Sequence, residues 1–132
     1  MKKLYLLLVC LLIAFSVNAQ TYYYRTTEFA YKYVSNGSWT GWSDWQNSFL
    51  KITINLDNDI VKINSETPQI YRITRYVKNY TDNSGGQQVM FSFVDQDYDR
   101  GTMRLRVERN GNSQIYIEFS DVMWVYNVIR IR

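Results

Sequence analysis

The chain has 132 residues, with 15 basic and 12 acidic side chains, four tryptophans, twelve tyrosines, six phenylalanines, no histidine and one cysteine, Cys10. The absence of histidine and of any thiol beyond Cys10 excludes Ser-His-Asp and Cys-His nucleophile systems, and zinc sites of the usual Cys/His kind. Lys2 and Lys3 belong to an apolar leader, so the remainder is close to neutral and makes no electrostatic case for a nucleic-acid partner.

Lys2 and Lys3 open the chain, residues 4–17 are apolar, and Val17-Asn18-Ala19 places small residues at −3 and −1. This pattern predicts a signal peptide over 1–19, cleaved before Gln20, and hence an exported protein, periplasmic or extracellular. The apolar run is too short for a membrane span, so no stable membrane anchor is expected. Val9 before Cys10, with more apolar sequence after it, argues against lipidation. Residues 20–132 then form a single all-β domain that relies on its core, with no disulfide to help.

Residues 22–34 read as a long strand, with Tyr23, Phe29, Tyr31 and Tyr33 on one parity and Glu28 and Lys32 on the other. The turn-forming run Ser35-Asn36-Gly37-Ser38 follows, then Trp39-Thr-Gly-Trp42-Ser-Asp-Trp45. Residues three apart meet on a helical turn and point to opposite faces of a strand. One reading makes these indoles a plug for the end of the barrel, with Trp42 buried between small Gly41 and Ser43. The other makes Trp39, Trp42 and Trp45 an aromatic platform for a planar ligand such as a sugar ring. Tyr31 and Tyr33 join them as tentative ligand-binding residues.

Leu50, Ile52, Ile54 and Leu56 alternate with Lys51, Thr53 and Asn55, Asp57-Asn58-Asp59 supplies a turn, and Val61 and Ile63 return. Pro68 separates that hairpin from residues 69–79, where Tyr71, Ile73 and Val77 fall on one face and Ile70, Tyr76, Arg72 and Thr74 on the other. The flexible run Thr81-Asp-Asn-Ser-Gly-Gly86 leads to an inward row of Val89, Phe91 and Phe93. Met103, Leu105 and Val107 alternate with charged residues, and Asn110-Gly111 predicts a tight hairpin to Ile115, Ile117 and Phe119. A break at Ser120-Asp121 precedes the last strand, 122–131. About eight strands joined by short turns predict a single antiparallel meander, closed as a lipocalin-like barrel, with a β-sandwich as the alternative.

The signal ending Asn18-Ala19-Gln20, the Gly-Ser-Trp-Thr-Gly-Trp-Ser-Asp-Trp run at 37–45 and the Gln-Ile-Tyr-Ile-Glu-Phe-Ser-Asp-Val run at 114–122 resemble a group of small exported β proteins of Bacteroidetes-type bacteria. That resemblance carries no activity and transfers no catalytic residue. The strand pattern is similar in outline to lipocalins, whose short Gly-x-Trp motif is matched in form by Gly37-Ser38-Trp39, here after the first strand. The tryptophan spacing also resembles the ladder of thrombospondin type 1 repeats, but that family needs disulfides that this chain lacks.

Asp95, Asp97 and Asp99, followed by Gly101, resemble the start of a calcium loop. The glycine stands one place late and Arg106 occupies the position of the closing glutamate, so an acidic turn with Gly101 at positive φ is expected, holding at most a weak structural calcium. No other cofactor is expected. Arg72, Arg75, Arg104 and Arg106 make a basic face whose expected partners are cross-strand acids. Glu28, Asp44, Glu118 and Asp121 are the acids available to a glycosidase, with no spacing that pairs any two.

Three functions fit this inventory. One is a non-enzymatic module binding a small apolar or aromatic ligand inside the barrel. The second is a carbohydrate- or protein-binding surface on the Trp39-Trp42-Trp45 stretch, and the third a glycosidase-type enzyme. The partner is accordingly a small molecule, a glycan or a protein.

Overall fold

Period-two alternation builds ten strands in the computed structural model, which describes residues 21–131. The signal peptide, its cleavage site and Cys10 lie outside the described residues. The strands are β1 (Thr21–Ser35), β2 (Ser38–Trp39), β3 (Gln46–Asn47), β4 (Lys51–Asn55) and β5 (Ile60–Ile63), then β6 (Gln69–Thr81), β7 (Gln87–Asp95), β8 (Arg100–Val107), β9 (Ser113–Glu118) and β10 (Val122–Arg130). No helix occurs among the described residues.

Each of the eight main strands pairs antiparallel with its successor, and β1 also pairs with β10. The sheet therefore closes on itself, which makes a barrel and not a sandwich. β1 accomplishes this by serving two neighbours: residues 21–25 pair with β4, and residues 24–33 pair with β10 on the other edge. Closure leaves no long edge at the seam for another chain to pair with.

The turns follow their residue chemistry. Asn36 and Gly37 have φ of 53° and 80°, the left-handed pair that a type I′ hairpin requires. The Asn55 side chain accepts from the amides of Asp57 and Asn58, and Asp59 takes φ of 56°. Two loop ends define the ends of the barrel. Thr21, the β4–β5 turn and Ile131 mark the terminal end, where Ile131 N donates to Tyr23 O. The turn after β1, the acidic β7–β8 turn and the β9–β10 turn mark the opposite end, here the tryptophan end.

Bulges correct the predicted parities. Thr26 pairs with Val128 and Glu28 with Asn127, so Thr27 is an extra residue in β1. One extra residue moves every later side chain to the other face. Tyr22, Tyr24 and Thr26 therefore share the inner face with Phe29, while Tyr23 faces out beneath the Lys51 ammonium. Bulges at Thr74 and Val77 act the same way in β6 and bring Tyr71, Ile73 and Tyr76 into one row. Tyr76 thus joins the inward row that the alternation gave to Val77.

The core fills the tryptophan half of the barrel. Phe93, Ile52, Ile63, Met103, Ile115 and Ile117 are fully buried. Tyr71 packs edge-on against Phe93 at 4.8 Å between centroids, Phe93 against Phe119 at 5.3 Å, and Phe119 against Trp124 at 5.6 Å. Edge-to-face contacts of this kind add about 0.5–1.5 kcal/mol each beyond the area they bury.

Candidate functional site

The terminal half of the barrel is not filled. A cavity of about 400 Å³ lies there, floored by Tyr24, Ile54 and Phe91 and walled by Tyr22, Val89 and Leu105. The floor residues are each at most 5% exposed and belong to the core. The opening arises from unequal strand lengths. The β4–β5 hairpin is short, so β5 covers only residues 69–72 of β6, which runs on to Thr81. Past that point β6 pairs only with β7 among the described residues. Asp59, Thr74, Arg75 and Tyr76 line the mouth. Volumes of 300–1,000 Å³ with mostly apolar walls and few polar groups are the usual form of a small-molecule site. Burial pushes the Tyr24 hydroxyl above its ordinary pKa, against the pull of Arg130, so it stays a neutral donor at pH 7.

The tryptophan stretch takes neither of its sequence-based forms in full. It is an irregular antiparallel return along β1, with two short pairings at β2 and β3. Ser43 N donates to Tyr31 O and Thr40 N to Tyr33 O, while Tyr31 N and Tyr33 N donate to the hydroxyls of Ser43 and Thr40. Side-chain oxygens thus replace half of a strand ladder. Trp39, Trp42 and Trp45 are 42%, 42% and 46% exposed, which rules out the buried plug and the choice of Trp42 as its centre. The reason is the extended backbone, which lays the indoles on the outer surface. Trp124, which alternates with Tyr126 and Val128, is the indole that packs against the core.

Trp39 and Trp42 meet at Lys32, whose ammonium lies 5.5 and 4.7 Å from their rings. Trp42 reaches Tyr116 edge-on at 6.3 Å, and the Arg104 guanidinium lies over the Tyr116 ring, 4.2 Å from its centroid. Ala30 and Val125 fall on the row between Trp42 and Tyr116 and are 1% and 3% exposed. Tyr31 and Tyr33 lie on the opposite face of β1 from Lys32, with Phe29, against which Tyr31 stacks. The five aromatic residues expected to cooperate are therefore divided between two faces, and none of them lines the cavity.

Asp95, Asp97 and Asp99 do converge, with one carboxylate oxygen of each within 4.8 Å of the others. Asp95 Oδ1 already accepts from Asp97 N and Asp99 N at 2.9 Å. Tyr98, not Gly101, takes the positive φ, at 64°. Gly101 is needed for space instead, because a Cβ there would sit 2.5 Å from Phe93 Cζ. Calcium requires six to eight oxygens, and this turn offers three side chains with one already engaged. The turn borders a polar cleft with Gln69, Asp121 and Trp124. Glu28 lines a small cleft with Glu108, Asn112 and Gln114 and accepts from Asn127, while Glu118 is held by Arg104 at 2.8 Å.

No protein-family model, curated protein or solved structure matches this chain.

The cavity residues were legible only as inward rows. Alternation places Ile54, Val89 and Phe91 inward and gives Ile73 and Leu105 a face of their strands, without marking any of them as a site. The usable signal was the mismatch between a hairpin of four- and five-residue strands and the long strand that follows it.

Proposed function

We propose that the protein is an exported, non-enzymatic binding module that takes a small apolar or aromatic ligand into the terminal end of its barrel. The observation that carries this reading is the cavity of about 400 Å³ whose floor is the apolar core itself, with Asp59, Thr74 and Arg75 at its mouth. A ligand of that kind gains roughly 25 cal/mol for each Å² of apolar surface removed from water. The missing histidine and the single leader cysteine favour binding over catalysis. The predicted signal peptide, and the resemblance to small exported proteins, support export.

N-phenyl-1-naphthylamine, neutral and fluorescent in apolar surroundings, tests the site directly. Saturable fluorescence at one probe per chain is expected, lost in Leu105→Trp, which fills the cavity, and kept in Trp42→Ala. Equal binding by wild type and Leu105→Trp, or no saturable binding by either, sinks the proposal.

A second reading rests on the exposure of Trp39, Trp42 and Trp45 around Lys32. It makes the outer face of β1 a glycan- or protein-binding surface. Retention on a polysaccharide column that is lost in Trp39→Ala and Trp45→Ala, with probe binding unchanged, selects it.

A further inference from the structure

The outer face of β6, β7 and β8 carries cations that no acid answers. The two bulges of β6 bring Arg72, Arg75 and Lys78 into one outward row, opposite Val94, Ser92 and Met90 of β7. Arg100 continues the first of these rows on β8, across Val94. Two strand spacings separate it from Arg72, about 10 Å. All four cations are exposed. The side chains of Arg72, Arg75 and Arg100 make no hydrogen bond or ion pair with any described residue, and the Lys78 ammonium contacts only the Tyr80 ring among them, at 4.8 Å. Their neighbours differ: Arg104 holds Glu118, and Arg106 holds Asp82 and Glu108. Asp59 and Asp99, on the adjoining turns, pair with none of the four.

Edge protection accounts for part of this row. A free strand edge is kept from pairing by bulges and lysines, and β6 has both. It does not call for Arg100, which lies in the middle of the sheet, nor for Arg72, which lies where β5 still covers β6. Apolar side chains stand beside the charges. Ile70 and Val77 are 37% exposed, and Tyr76, at the rim of the cavity, is 57% exposed. Thr74 and Arg75 belong to two surfaces at once, the mouth of the apolar cavity and a shallow groove with Ser92, Arg100 and Thr102.

We propose that this face docks on an anionic lipid surface, with the cavity mouth turned towards the bilayer. Guanidinium and ammonium groups meet lipid phosphates, and tyrosine is favoured at the boundary between headgroups and chains. The hydroxyls of Ser92 and Thr102 line the groove shared with Arg75 and Arg100 and can donate to headgroup oxygens. Docking follows from the charges alone. Entry of the ligand from the membrane rests on the cavity reading above, and it supplies a route for a molecule too apolar to travel through water.

The barrel of residues 21–131 is closed on itself, so the test uses the chain from Gln20, free of the apolar leader. Vesicles of phosphatidylcholine alone, and with three parts in ten phosphatidylglycerol, are sedimented with the protein. Binding is expected only with phosphatidylglycerol, and it weakens in high salt. One cation close to such a surface strengthens binding about fivefold, so Arg72→Gln/Arg75→Gln/Lys78→Gln lowers it about a hundredfold. Arg100→Gln lowers it several-fold from a different strand, and the double Arg72→Lys/Arg75→Lys variant, with Lys78 unchanged, keeps it. Equal binding to both vesicles, no binding by wild type, or an unaffected triple variant overturns the proposal. So does retention on dextran sulfate without vesicle binding, which makes the face a polysaccharide site. Naphthylamine binding in solution is read separately, so loss of the cavity reading and loss of docking are distinguishable.

Discussion

Thr26 fixes the point where the irregular tryptophan return rejoins the regular sheet, and replacing it tests that geometry. Thr26 is completely buried. Its Oγ1 accepts from Leu50 N at 2.7 Å and shares a hydrogen bond with Ser48 Oγ, also at 2.7 Å, while its own amide donates to Leu50 O. Valine has nearly the same shape without the oxygen, so Thr26→Val preserves packing but orphans the Leu50 amide and the buried Ser48 hydroxyl. Each orphaned group costs about 1–3 kcal/mol, and the two together about 3 kcal/mol because Leu50 is only partly buried. With a urea slope of about 1.5 kcal/mol per molar, the midpoint falls by about 2 M. Ser48→Ala in the Thr26→Val background removes one of the two orphans and recovers about 1 kcal/mol. Urea melts of wild type, both single variants and the double variant complete the cycle. A Thr26→Val midpoint within about 0.3 M of wild type, or a strictly additive cycle, refutes the reasoning.

Burial pushes the hydroxyls of Tyr24, Tyr71, Tyr116 and Tyr126 above the ordinary tyrosine value. The native state then keeps protons that the unfolded chain releases above about pH 10, so stability is constant below that pH and falls as pH rises past it. Urea melts at rising pH beside tyrosinate absorbance check this; titration of all the tyrosines near pH 10 without loss of stability contradicts it. Hydrogen bonds from Gln88, Arg106 and the Gly86 amide hold the Asp82 carboxyl well below the usual carboxylate range. Its contribution is present above about pH 4 and is lost as pH falls below that, so wild type loses stability on acidification more steeply than Asp82→Asn; parallel acid profiles count against the network. Gly101→Ala places a Cβ 2.5 Å from Phe93 Cζ and 2.6 Å from Glu118 O, and costs about 1–3 kcal/mol in a thermal or urea melt; an unchanged midpoint means that the two walls yield freely. Calcium titrated calorimetrically binds no tighter than about millimolar; a micromolar site abolished by Asp97→Ala disproves that.

The strand count, the turn at Asn110-Gly111 and the meander were legible because alternation and turn chemistry are local. Gly111 does take positive φ, at 90°. Facing was harder, because one extra residue at Thr27 inverts a strand and leaves no mark in the hydrophobic pattern. Tyr23 and Tyr24 are neighbours of identical chemistry, and only the bulge decides which is core. The tryptophan stretch misled for a related reason. A three-residue spacing has meaning on a helix or a strand, whereas this segment hydrogen-bonds through Ser43 and Thr40 hydroxyls and is neither. The pairing of Arg104 and Arg106 with acids followed from cross-strand reasoning, but Glu108 and Asp82 are a local neighbour and a loop residue. The lack of partners for Arg72 and Arg75 needed the β6 bulges to be seen.

The seam between β1 and β10 decides when the barrel can exist at all. Other neighbouring strands follow one another along the chain, but Thr27 Oγ1 reaches Asn127 O across 100 residues. Contacts of such separation close last and make all-β chains slow to fold. Until residues 122–130 are available, the sheet has two open edges, at β1 and β9, and its inward aromatics face water. The same delay leaves it adhesive on both sides in the interval before closure. Removing β10 would accordingly leave an open sheet and not a smaller barrel.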